Sequence, residues 1–104
     1  MKISFNNYAE PVEKKGEYIY FRWKVFVDEP DVILDQIKSV EYLLHPTFPK
    51  PYQVIDDRTS KFALAAAGWG EFDIAITVNF KDIHKEAVKS KYHLNLGKTR
   101  PEGS

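Results

Sequence analysis

Residues 71–80 alternate almost without fault. Phe72, Ile74, Ile76, Val78 and Phe80 fall on one side, and Glu71, Asp73, Ala75, Thr77 and Asn79 on the other. A period of two sustained over this length marks a strand with one buried face; an amphipathic helix would repeat its apolar residues every three to four positions. Such a strand needs backbone partners on both sides, so the rest of the chain has to supply sheet.

It does. Residues 18–27 place Ile19, Phe21, Trp23, Val25 and Val27 on one face and Arg22 and Lys24 on the other, where Tyr18, Tyr20 and Phe26 keep that second face from being wholly wet. Residues 38–44 turn Val40, Tyr42 and Leu44 inward, and residues 88–96 do the same with Tyr92, Leu94 and Leu96. Residues 52–55 and 61–66 read as short strands and residues 2–8 as a first edge strand; 28–31, 56–60 and 81–87 read as turns, and 32–37 as a helical turn or a connection. Seven or eight short strands without a long helix predict an all-β, immunoglobulin-like antiparallel β-sandwich. At 104 residues the chain has room for one such core, burying roughly two-thirds of its unfolded surface. Residues 1–97 are expected to form one domain, and 98–104, polar with Gly and Pro, a flexible C-terminal tail or an expression remnant.

Two loops break the strand pattern in an unusual way. Leu43-Leu44-His45-Pro46-Thr47-Phe48-Pro49-Lys50-Pro51 carries three prolines within six positions, and proline fixes φ and removes a backbone donor, so the sheet cannot continue through it. An imidazole, a hydroxyl and a phenyl ring sit where turns ordinarily carry Gly, Asn or Ser. The second loop, Gly68-Trp69-Gly70-Glu71-Phe72, holds a tryptophan between glycines immediately before the most regular strand. In a sandwich, loops gather at the two ends and carry binding functions. These two are expected to meet in one site.

Composition narrows the function. Lysine plus arginine and aspartate plus glutamate each number 15, so no overall basic field favours nucleic acid. Without cysteine there is no disulfide framework or thiolate metal site. No signal peptide and no apolar run long enough to span a bilayer is present, and the chain reads as soluble and intracellular. His45, His84 and His93 lack metal-ligand spacing, and there is no phosphate-binding glycine loop or nucleophile elbow. Neither an enzyme nor a cofactor is expected.

In their order along the chain, Trp23-Lys24-Val25-Phe26-Val27, His45-Pro46-Thr47-Phe48-Pro49, Gly68-Trp69-Gly70-Glu71-Phe72 and Tyr92-His93-Leu94 resemble the YEATS domain family over about residues 18–96, closer in flavour to its prokaryotic members. The resemblance implies a reader of acylated lysine, acetyl or crotonyl, on a partner protein: a histone tail if the source is eukaryotic and the protein nuclear, another acylated protein if it is prokaryotic and the protein cytoplasmic. It implies a monomeric domain with no direct nucleic-acid contact. It also implies that Phe48 and Trp69 sandwich the flat acyl-amide, that the Thr47 hydroxyl and the Trp69 N–H bond it, and that His45, Gly68, Gly70 and Phe72 line the pocket. His93 stands where some members have an acidic residue. An aromatic that closes the pocket in some members falls at Ile19, with Tyr18 and Tyr20 beside it, and is not assigned among the three.

Each of these residues also has a plainer role. Trp69 could be a core tryptophan, Phe48 a plug beneath its own loop, Thr47 a turn hydroxyl, His45 a satisfied structural histidine, and Phe72 a core residue in phase with Ile74 and Ile76. The competing function is a non-catalytic, immunoglobulin-like interaction domain of a larger signalling protein, with no acyl-lysine pocket.

Overall fold

A computed structural model describes residues 2–98. The chain runs through β1 (Phe5–Lys15), β2 (Tyr18–Val27), a short helix α1 (Asp31–Leu34), β3 (Ile37–Leu43), β4 (Tyr52–Ile55), a 3-10 turn (Arg58–Ser60), β5 (Leu64–Gly68), β6 (Asp73–Phe80) and β7 (Val88–His93). The strands form two sheets, ordered β1-β2-β5 and β4-β3-β6-β7, and every pairing is antiparallel. The expected all-β, immunoglobulin-like sandwich forms, with seven strands among the described residues. Among the described residues no helix is long and apolar enough to cross a membrane.

Period two is what builds the core. Trp23, Val25 and Val27 from β2 face Val40 and Tyr42 from β3 and Ile74, Ile76 and Val78 from β6, all buried, each such side chain contributing about 1.5–3 kcal/mol on removal from water. Tyr42 carries a polar tip into this core and donates it to the Phe62 carbonyl at 2.5 Å. Burial pushes the pKa of its hydroxyl well above the ordinary tyrosine value. The buried Asn7 ties the two sheets at one end. Its amide donates to the Asn95 carbonyl at 2.9 Å, while its oxygen accepts from the Asn95 N–H at 3.1 Å and the Tyr92 hydroxyl at 2.6 Å.

Several strand limits differ from those expected. The first strand covers Phe5–Lys15, not 2–8, because the polar run after Glu10 stays paired to β2 around an irregularity between Pro11 and Glu13; an edge strand tolerates both proline and a bulge. The hairpin then turns at Gly16, whose φ of 62° suits a residue without Cβ. This hairpin end lies beyond the core, so Ile19, in phase with Trp23, is 44% exposed. Residues 61–66 do not begin a strand, since Lys61 and Phe62 are both left-handed at φ 61° and 57°. Hydrogen bonds hold that strained corner: Phe62 N–H to the Asp57 carbonyl at 2.9 Å and Val27 N–H to the Lys61 carbonyl at 3.0 Å. The last strand ends at His93 because Asn7 takes the backbone of Asn95, although Leu94 and Leu96 remain buried. Of the expected tail, residues 99–104 lie outside the described residues.

Candidate functional site

The proline loop joins β3 to β4 and is closed by two backbone bonds, Leu44 N–H to the Pro51 carbonyl at 2.7 Å and Phe48 N–H to the His45 carbonyl at 3.0 Å. His45 Nδ1 accepts the Thr47 N–H at 3.3 Å and lies 2.9 Å from the Thr47 hydroxyl oxygen. An Nδ1 that accepts from an amide carries a lone pair, so the hydroxyl donates to it and keeps its own lone pairs for an outside donor. Phe48 turns under this loop. Its ring lies 5.3 Å from Phe72 at 45° and 6.2 Å from Trp23 edge-on.

The second loop enters from β5. The register Phe21↔Gly68 carries the chain past Phe48, where a Cβ on Gly68 would meet the Phe48 ring at 3.7 Å, an ordinary contact. Gly70 has open space around it and no left-handed φ, so neither glycine is demanded by strain. Trp69 between them is 53% exposed, and its ring stacks on Tyr18, with centroids 4.4 Å apart at 39°.

The two loops enclose one cleft of about 530 Å³. It brings together His45, Thr47, Phe48, Gly68, Trp69, Gly70 and Phe72, all the residues singled out from the sequence, and adds Tyr20, Pro49, Ala67 and Glu71. Phe48 departs from the expectation of two free rings, since it is half-buried against Trp23 and Phe72 and belongs to the edge of the core as well as to the cleft. One wall is therefore anchored in the core, and the other leans on the exposed Tyr18 of the hairpin. Tyr20 escaped assignment because its place depends on strand pairing: the ladder ends at Phe21↔Gly68, and the next residues out, Tyr20 and Trp69, both line the cleft. The signals in the sequence were that Tyr18 and Tyr20 share a face with Phe26 among charged residues, and that both adjoin Ile19, where some members of the family have a pocket-closing aromatic.

Charge at the cleft rim is organised by His93 on β7. Its Nδ1 is 2.9 Å from Asp73 and its Nε2 3.5 Å from Glu71, whose other oxygen accepts the Leu96 N–H at 2.8 Å. The hydrogen bond to Asp73, with a smaller contribution from Glu71, raises the His93 pKa above 6.5. A raised folded-state value means that the protonated ring is the favoured partner. Its contribution to stability is present below the unfolded value of about 6.5 and lost as pH rises through the folded one. An NMR titration of the His93 ring should give a midpoint above that of an unstructured peptide, and Asp73→Asn should lower it; a midpoint unmoved by that substitution would refute the pairing. Among the described residues no group of three His, Cys, Asp or Glu side chains is placed to hold a metal ion.

The family model described as the prokaryotic YEATS domain matches residues 21–95. The chain belongs to this family. Among curated relatives of this YEATS domain, the protein AF-9 homolog of Saccharomyces cerevisiae is 41% identical over 87 residues, 82% of this chain and 37% of its own length. Transcription initiation factor TFIID subunit 14b of Arabidopsis thaliana is 33% identical over 101 residues, 90% of this chain and 36% of its own. The chain spans about a third of the length of the curated relatives it matches. Among solved structures, the Yaf9 YEATS domain recognising an H3K122suc peptide superposes with a TM-score of 0.72 at 29% identity, over 93% of this chain and 78% of that one. The Yaf9 YEATS domain bound to H3K27ac gives 0.70 at 28% identity, over 92% and 77%.

Proposed function

We propose that residues 1–97 form a non-catalytic reader domain that takes an acylated lysine of a partner protein into the cleft between Phe48 and Trp69. The observation that carries this reading is the cleft itself: an aromatic ring on each side, and a hydroxyl whose donor is already engaged by His45. A lysine ammonium entering such a slot would lose hydration between the rings, and the one carboxylate of the lining, Glu71, is already engaged by His93 and the Leu96 N–H, whereas a neutral amide presents a flat face to the rings and needs few hydrogen bonds. In this reading the Thr47 oxygen accepts the amide N–H and the Trp69 backbone N–H donates to the acyl carbonyl. Gly68 keeps the floor beside Phe48 free of a side chain, and Tyr20 lines the cleft with Trp69. Acylation is then sensed as the loss of a charge and the gain of a plane. The acylated histone peptides bound by the related Yaf9 domains support this class of ligand.

Calorimetric titration with acetyl-, crotonyl- and unmodified-lysine peptides of one sequence tests the reading. Acylated peptides should bind and the unmodified peptide should not. Thr47→Val, which keeps shape but removes the hydroxyl, should weaken binding by about 0.5–1.5 kcal/mol. Undiminished affinity would assign the hydroxyl to the loop alone. Failure of every acylated peptide would favour the interaction-domain alternative.

A further inference from the structure

A second cavity, of about 460 Å³, lies on the outer face of the β1-β2-β5 sheet, and strand β5 connects it to the acyl-lysine cleft. Trp69 and Ala67 line the cleft, and Ala65, two residues back along the same face, lines the second cavity. Strand pairing places the exposed Ala67 beside Arg22 and the exposed Ala65 beside Lys24. The cavity spreads over all three strands, with Tyr8 and Glu10 of β1, Arg22, Lys24 and Phe26 of β2 and Ala65 of β5 in its lining, and the short alanine side chains of β5 leave a low path, here called the alanine trench, from it toward Ala67 and Trp69. The outer boundary of the trench is the free edge of the sheet, because among the described residues β5 pairs with β2 alone. Such an edge offers unpaired backbone groups to an extended chain.

The lining carries three cations, Arg22, Lys24 and Lys61, against two carboxylates, Glu10 and Asp28, an excess of one positive charge. Neither Lys24 nor Lys61 has a carboxylate partner among the described residues. Lys61 Nζ sits 6.0 Å from the centroid of the Phe26 ring. Arg22 is paired with Glu10 at 3.3 Å, which leaves Asp28 as the carboxylate of the lining not held by a cation.

We propose that the alanine trench receives the peptide flanking the acylated lysine and selects an acidic side chain there through Lys24 and Lys61. The proposal rests on the acyl-lysine reading, which fixes one residue of the ligand at Trp69 and so delivers the neighbouring residues to the trench at high effective concentration. From Trp69 to Ala65 is four residues, roughly 13 Å at the rise of a strand. The selected Asp or Glu therefore lies three or four positions from the modified lysine. Pairing of the peptide backbone with the β5 edge would add main-chain affinity that is independent of sequence, and the lysines would supply the discrimination.

The test uses the full chain and labelled peptides carrying crotonyl-lysine with Glu or Lys four residues away, on either side, in an otherwise Gly/Ser sequence. In one of the two orientations the Glu peptide should bind roughly 3- to 10-fold tighter than the Lys peptide, as expected for two solvent-exposed charge pairs. The preference should shrink as salt rises, and the double charge reversal K24E/K61E should invert it. The amide resonances of Ala65 and Ala67 should shift with the Glu peptide, and that of Ala65 should not shift with crotonyl-lysine alone. Equal affinities in both orientations, or a preference unaffected by K24E/K61E, would overturn the proposal while leaving the acyl-lysine reading in place. Failure of every crotonylated peptide would instead remove that reading, and the proposal with it.

Discussion

Trp23→Ala is expected to cost about 3–5 kcal/mol of folding stability, the range for deleting a large aromatic from a core. The residue is 1% exposed and meets Phe48 and Phe72 edge-on, with centroids at 6.2 and 6.0 Å. Against a total of roughly 5–15 kcal/mol for a domain of this size, the loss would shift a urea or thermal transition far down. A second variant separates volume from polarity. The Trp23 Nε1 is buried with no hydrogen-bond partner among the described residues, and such an orphan donor costs roughly 1–3 kcal/mol. Trp23→Phe removes that penalty together with part of the ring, so it should destabilise far less than Trp23→Ala. If both variants fell equally, the orphan indole would not be a burden on the fold. Because Phe48 and Phe72 rest on this ring, Trp23→Ala should also weaken peptide binding at temperatures where the variant is still folded.

Trp69→Ala should do the opposite. Its ring is half in solvent and touches Tyr18, which is itself 53% exposed, so the fold should lose no more than about 1 kcal/mol. Binding of an acylated peptide should weaken by about 1–3 kcal/mol, because one face of the slot disappears. Calorimetry and a thermal melt on the same sample decide between these effects. An unfolded Trp69→Ala protein would make Trp69 a structural tryptophan, and an unchanged affinity would remove it from the site. Phe48→Ala should show both kinds of loss, since its ring lines the cleft and packs on the core.

Strand faces were legible from the sequence because side-chain alternation records which side meets the core. The limits of β2 and β4 follow residue by residue from it, as does the burial of Trp23, Tyr42 and Ile76. The prolines around Thr47 and the glycines around Trp69 marked the two loops that meet at the cleft. What alternation does not carry is pairing. The second half of β1 has no apolar period, being an edge strand with a bulge, and only its partner β2 holds it extended. The left-handed corner at Lys61 and Phe62 depends on the Asp57 carbonyl, the Val27 N–H and the Tyr42 hydroxyl, which local sequence does not reveal. Tyr20 faces the cleft, and Ala65 adjoins Lys24, through the register between β2 and β5. A register is a property of two distant segments at once.

The two tryptophans of this chain occupy opposite surroundings, one sealed between the sheets and one at the mouth of the cleft against Tyr18. Indole emission lies to the blue in a dry environment and to the red in water, so native Trp23 is expected to emit to the blue of Trp69. Denaturation shifts the blue component as Trp23 meets solvent. A ligand covering Trp69 should alter the red component more than the blue one. The contrast in burial should let a single label-free spectrum follow unfolding through Trp23 and events at the cleft mouth through Trp69.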